Sequence, residues 1–237
     1  MAKEREVMMN KFYTATGILK QKHGSGGRTY PYVSLGNQEY VLNMQEMVLW
    51  TILNWRILSE DEIKALYDKK TKELGIEYHR SVEACQYYLV QRGLIAEGCG
   101  ETGADALYDL ISSLYVVPIS ENIFLRFFSF IKLTFIKGVP FSATRKILFS
   151  DKRSEGEKKV MRLAKQARFS TAEIIKCVEK NKINFANDEE ILDTIYDDED
   201  TTSDNIAYTV RSLSACRPVL TDVANLYLRQ NIVFERA

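Results

Sequence analysis

Residues 59–97 constrain the fold of this chain more than any other stretch. They follow Leu58 with Ser59, Glu60, Asp61, Glu62 and Ile63, and end on Leu89, Val90, Gln91, Arg92, Gly93, Leu94 and Ile95. In the Ser-x-x-Glu box, Ser59 can accept from the backbone N–H of Glu62 while Glu62 reaches back to the N–H of Ser59. Two donors that a helix start leaves orphaned are then satisfied locally. Ile63, Leu66 and Tyr67 recur at i, i+3 and i+4, one face of a helix. Lys69, Lys70 and Lys72 load its C-terminal end, where cations suit the macrodipole, and Gly75 can take the left-handed cap. A second helix is predicted from Arg80 or Ser81, burying Val82, Cys85 and Leu89. Gly93 stops it, and Leu94, Ile95 and Ala96 begin a strand.

Helix, helix, glycine break and apolar strand are the parts of a winged helix-turn-helix. The stretch resembles the DNA-reading half of winged-helix regulators such as the MarR and PadR families, most sharply at Val82, Cys85, Leu89, Gly93, Leu94 and Ile95. The resemblance implies that the helix ahead of Gly93 enters a major groove and that the following hairpin is the wing. It implies groove-facing positions at His79, Arg80, Ser81, Glu83, Gln86 and Tyr87, with Arg80 and Tyr87 at base edges. Lys69, Lys70, Lys72 and Arg92 would contact phosphates, which position a protein on DNA without specifying sequence. The chain departs from the family pattern at Gln86, where an aliphatic residue is usual, and at Glu83, an acid on the DNA side. The turn from Gly98 through Cys99, Gly100, Glu101 and Thr102 to Gly103 has no Lys or Arg. That turn also matches G-x-G-x-x-G. A dinucleotide site needs a βαβ unit with an acid about twenty residues on. Pro118 and a Phe-rich run stand there instead, so a wing-like turn leading into a helix over 104–114 is expected.

Upstream, residues 11–19, 30–35 and 38–42 read as strands, the last two joined by Gly36 and Asn37. The basic, Gly-rich stretch 20–28 lacks the Gly-Lys-Ser/Thr ending of a P-loop; it reads as a loop, with a phosphate contact as the alternative. Asn43 caps the next helix, with Glu46 three residues on and Met47, Trp50, Ile52, Leu53 and Trp55 as its apolar stripe. Residues 119–136 are the most apolar, with Phe124, Phe127, Phe128, Phe130 and Phe135 broken by Arg126 and Lys132. This run is too short and too charged for a membrane span, which wants about twenty apolar residues. It is predicted as a core helix or a dimer seam, with a ligand pocket among the aromatics as the alternative. Residues 142–149 read as a further helix and 151–157 as a charged linker.

The motif returns. Phe169, Ser170, Thr171, Ala172, Glu173 and Ile174 echo residues 58–63, and Val160, Met161 and Leu163 echo Leu49, Trp50 and Ile52 at the same offset. Residues 227–235 echo 89–97, with Asn231 in the place of Gly93 as a left-handed cap. A longer segment carrying Asp188, Glu189, Glu190, Asp197, Asp198, Glu199 and Asp200 separates the two parts of this copy. It reads as a solvated acidic loop, alternatively a site for a basic partner. The expected fold is mainly α with small β-hairpins, in the α+β class: two winged-helix-like units joined by aromatic-rich helices. The expected domains are 1–117, 118–156 and 157–237, the last a degenerate copy.

Lys plus Arg and Asp plus Glu both number 32, so the chain is neutral and any DNA-binding charge must be segregated. No leader is visible over residues 1–16, and a cytoplasmic location is expected. The four cysteines, Cys85, Cys99, Cys177 and Cys216, are dispersed and read as reduced thiols. His23 and His79 share no metal-ligand spacing with them. No nucleophile, metal or phosphate-cradle motif appears, so no enzyme, catalytic residue, metal or cofactor is expected. The expected function is a DNA-binding transcriptional regulator reading double-stranded DNA as a homodimer, open to a small-molecule or protein effector and not membrane-bound. The alternative is a protein-interaction module of tandem winged helices.

Overall fold

Side-chain caps start most of the described helices, and a long-range strand pairing occurs in each half. The computed structural model describes residues 9–23, 29–76, 80–119, 153–198 and 200–236. The protein is α+β, with nine α-helices and small antiparallel sheets among the described residues. The chain divides into two units: residues 1–18, 22–114 and 234–237, and residues 19–21 and 115–233. The Phe-rich run and the 142–149 helix lie outside the described residues, apart from Ile119.

Along the chain β1 (Asn10–Ala15) is followed by β2 (Ile18–His23), β3 (Thr29–Leu35) and β4 (Gln38–Tyr40), the last three in one sheet of that order. The single strand expected over 11–19 is broken: Gly17 turns the chain at φ 85°. Asn43 caps α1 (Met44–Leu53), accepting from Glu46 N–H at 2.9 Å while Glu46 accepts from Asn43 N–H at 3.1 Å. Met47, Trp50, Ile52 and Leu53 are buried, and Trp50 donates its indole N–H to the Thr16 carbonyl at 3.1 Å. Glu62 accepts from the Ser59 N–H and hydroxyl, both at 2.8 Å, at the start of α2 (Glu60–Leu74), and Gly75 ends it at φ 62°. Ser81 caps α3 (Val82–Gln91), which buries Val82, Cys85 and Leu89 and ends on Gly93 at φ 70°.

The turn leads into a helix as expected, but β5 does not pair with a returning hairpin strand among the described residues. β5 (Ile95–Gly100) runs almost directly into α4 (Gly103–Ile111), and its partner is β1, in antiparallel register from Asn10 opposite Gly100 to Ala15 opposite Ile95. The other edge of β1 bonds Leu58 through Tyr13, N–H to carbonyl in both directions at 2.9 and 3.1 Å. The place beside β5 that a returning hairpin strand would take is held by a strand from the start of the chain. The glycines have a packing reason. A Cβ on Gly98 would fall on the backbone N of Leu110, and one on Gly100 on the backbone N of Ala106. Helix α4 lies against the strand backbone at these two points, with Cys99 N–H donating to Asp109 at 2.8 Å. Gly103 opens the helix after the cap Thr102.

The second unit repeats the frame. Its strand β6 (Tyr115–Pro118) is bridged to Ser170 through Tyr115, with Val116 N–H donating to the Phe169 carbonyl at 2.9 Å. Ser154 and Glu157 form the capping box of α5 (Glu155–Gln166), so the predicted charged linker ends inside a helix. Ser170 and Glu173 form that of α6 (Thr171–Glu179). The predicted acidic loop begins as a helix, α7 (Asp188–Ile195), capped by Asn187. A single turn, α8 (Ile206–Thr209), and a 3-10 turn (Val210–Ser212) lead to α9 (Cys216–Leu228) and β7 (Ile232–Glu235), which forms a two-stranded sheet with β6.

The two helix ends match bond for bond. After α3, Arg92, Gly93 and Leu94 donate to Tyr88, Val90 and Leu89; after α9, Arg229, Gln230 and Asn231 donate to Asn225, Tyr227 and Leu226. The left-handed residue is Gln230, at φ 64°, not the predicted Asn231. With the register moved by that one residue, Thr16 N–H to the Leu94 carbonyl in the first unit matches Ile119 N–H to the Asn231 carbonyl in the second, both at 3.0 Å.

Candidate interaction surface

Helix α3 places the predicted site residues, and it divides them by burial. Its inner face carries Val82, Cys85, Gln86 and Leu89. Gln86 is only 8% exposed, so it cannot face a groove. Gln86 stands four residues after Val82 and three before Leu89, so it shares the helical face that meets the core. Tyr87 is 61% exposed and Tyr88 47%, with ring centroids 5.9 Å apart in an edge contact. Tyr88 belongs to the surface but escapes a pattern reading that assigns the whole apolar side of a helix to the core.

Arg80 precedes the helix. Its guanidinium lies 5.1 Å from the Tyr88 ring centroid and 3.9 Å from Glu46. Its carbonyl accepts from Gln45 Nε2 at 3.5 Å. Ser81 is exposed and accepts from the Ala84 N–H at 3.2 Å. Glu83 is exposed and 3.9 Å from Lys64. Its own backbone N–H and the Ser81 hydroxyl hold its carboxyl below the usual range. His79 lies outside the described residues.

Arg92, expected as a phosphate contact, is engaged within the fold. It is half-buried, bonding Glu46 Oε2 and the Val41 carbonyl, both at 3.2 Å, with its guanidinium 5.4 Å from the Tyr40 ring. Lys70 pairs with Glu73 at 2.8 Å; Lys69 and Lys72 are exposed on α2. Glu46 is thus a hub: it caps α1 and faces both Arg80 and Arg92. Val41 and Met44, close to Gln45 and Glu46 in sequence, are also exposed, and the Val41 carbonyl accepts from Arg92. Cations on this side stand beside carboxylates, and the exposed apolar area is aromatic and flexible, the composition of protein-binding surfaces.

Nothing else gathers chemistry. Among the described residues no group of three His, Cys, Asp or Glu could hold a metal ion, and no helix is long and apolar enough to cross a membrane. Cys85, Cys177 and Cys216 are buried, and burial pushes the Cys177 thiol up to about 12. No protein family, curated protein or solved structure matches the chain.

Proposed function

We propose that the protein is an interaction module built from two winged-helix-like units, with α3 of the first presenting a docking face to another protein. The observation that carries this reading is the charge layout around α3. Arg80 and Arg92 share Glu46, Lys64 faces Glu83, and Lys70 faces Glu73. DNA affinity comes largely from Lys and Arg neutralising phosphates, and carboxylates beside those cations oppose it. The path of β5 into α4 adds support, since the hairpin that the winged-helix resemblance assigns to the wing is replaced by a helix.

The second reading is a DNA-binding regulator. It is favoured by Arg80, with about half of its side chain exposed at the start of α3 beside Ser81 and against the exposed Tyr88. Fluorescence anisotropy with mixed-sequence duplexes over a salt series separates the two. The interaction reading expects no saturable binding at physiological salt. Binding that falls steeply as salt rises would establish the regulator and count its phosphate contacts.

A further inference from the structure

Helix α7 carries an outward face with no counterpart in the first unit. Asp188, Glu189, Leu192 and Asp193 fall on it at helical spacing, and all four are exposed, Leu192 at 57%. The neighbouring acids are taken: Glu190 by Lys182, Asp197 by Lys176 and Lys180, and Asp198 by Lys176. Asp188, Glu189 and Asp193 make no ion pair among the described residues. An aliphatic side chain framed by three carboxylates can meet α3, where the exposed Arg80 lies against the Tyr88 ring and Tyr87 packs edge-on to Tyr88. The net charge of zero leaves no long-range repulsion between copies to oppose such a contact.

We propose that the α3 face of one copy docks the α7 helix of a second copy. Leu192 packs against Tyr87 and Tyr88. Arg80 turns from Glu46, at 3.9 Å a loose partner, toward Glu189 or Asp193. Glu46 keeps Arg92, so no buried carboxylate is left without a cation. The contact joins two different surfaces, so it is a heterologous contact; it needs two reciprocal seats to close a dimer and otherwise propagates. The inference rests on reading α3 as a protein-binding face.

Sedimentation velocity of the full chain over a concentration and salt series tests it. The expected result is self-association that weakens as salt rises, since partly exposed ion pairs are screened. Arg80→Glu and Asp193→Arg are surface changes, and each alone should weaken association by about tenfold. Mixing the two variants should restore it, because the acidic α7 of the first meets the intact Arg80 of the second. A chain that stays monomeric throughout, association that neither variant reduces, or variants that fail to complement one another would overturn the proposal. Monomers with no affinity for duplex DNA would leave the interaction-module reading standing, whereas salt-dependent duplex binding would remove that reading as well.

Discussion

Arg229 Nη1 stands 3.0 Å from each carboxylate oxygen of Glu157, the glutamate that closes the capping box of α5. Arg92 stands in the same relation to Glu46, which closes the box of α1. Both arginines are the last residue before a left-handed turn that sends the chain into a strand. Each glutamate is nearly inaccessible, Glu157 at 2% and Glu46 at 8%, and each ties the start of one helix to the end of another. A buried carboxylate shared by a helix start and an arginine thus recurs in the two units, the arginine each time just before a left-handed turn into a strand.

Removing Arg229 leaves the buried Glu157 carboxylate with its capping bonds, and removing Arg92 leaves Glu46 with its capping bonds and the more distant Arg80 at 3.9 Å. A fully buried pair broken this way costs about 3–5 kcal/mol. Arg229 is 46% exposed, so solvent discounts the loss, and Arg229→Ala should cost about 1 kcal/mol. Arg92 is less exposed and also bonds the Val41 carbonyl and covers Tyr40, so Arg92→Ala should cost about 2 kcal/mol. Urea unfolding measures both. Midpoints no different from Lys159→Ala, an exposed control, would show that the pairs are not structural.

Gly98→Ala and Gly100→Ala should each destabilise by about 3 kcal/mol, because the added methyl meets the α4 backbone, which cannot rotate away. Gly103→Ala, with only the edge of Phe12 nearby at 3.8 Å, should be close to neutral. Thermal melts decide this. Equal effects at all three positions would mean that the G-x-G-x-x-G pattern has some other purpose than close packing.

Much of this frame was legible in the sequence because its signals are local. Asn43 with Glu46, Ser59 with Glu62 and Ser170 with Glu173 are each three residues apart, and Val82, Cys85 and Leu89 show one helical face. The pairing of β1 with β5 was not legible: the strands are far apart in sequence, and neither alternation nor turn chemistry names a distant partner. The candidate site was read less well. Arg92 carries no local mark of its bond to Glu46, and Gln86 is buried where a polar residue suggests a surface. The cap at Gln230 was missed for a related reason. The helix-end bond from the Gln230 N–H to Tyr227 puts the left-handed turn there, while intrinsic preference pointed to Asn231 beside it.

Acid should loosen the segment after α7. Lys180 first, and then Lys176, hold the Asp197 carboxyl at about 2, below its ordinary 3.8. A depressed carboxylate contributes stability above its unfolded value and loses it as pH falls through its folded value. The contribution should therefore be complete above about pH 4 and fade toward about pH 2. Asp197 is largely solvated, so the effect is local rather than global. Amide exchange at residues 196–198 should rise over that window in the wild type and be pH-independent there in Asp197→Asn, after correction for intrinsic rates. Identical profiles would dismiss the pairing.

Thiol chemistry should be confined to one cysteine. Cys85, Cys177 and Cys216 are buried and burial raises all three thiols, whereas Cys99 is partly exposed on β5. Alkylation of the native protein at neutral pH, followed by peptide mapping, should label Cys99 well before the others. Early labelling of Cys177 would contradict the packing of α6.

The most direct test of the account is the amide spectrum of labelled protein, followed on dilution and on addition of mixed-sequence duplex. The account predicts that residues 84–91 of α3 and 188–193 of α7 shift together as the protein is diluted and that duplex DNA leaves α3 unchanged. Shifts along α3 produced by duplex and absent on dilution would contradict it, and would make α3 a nucleic-acid-reading helix.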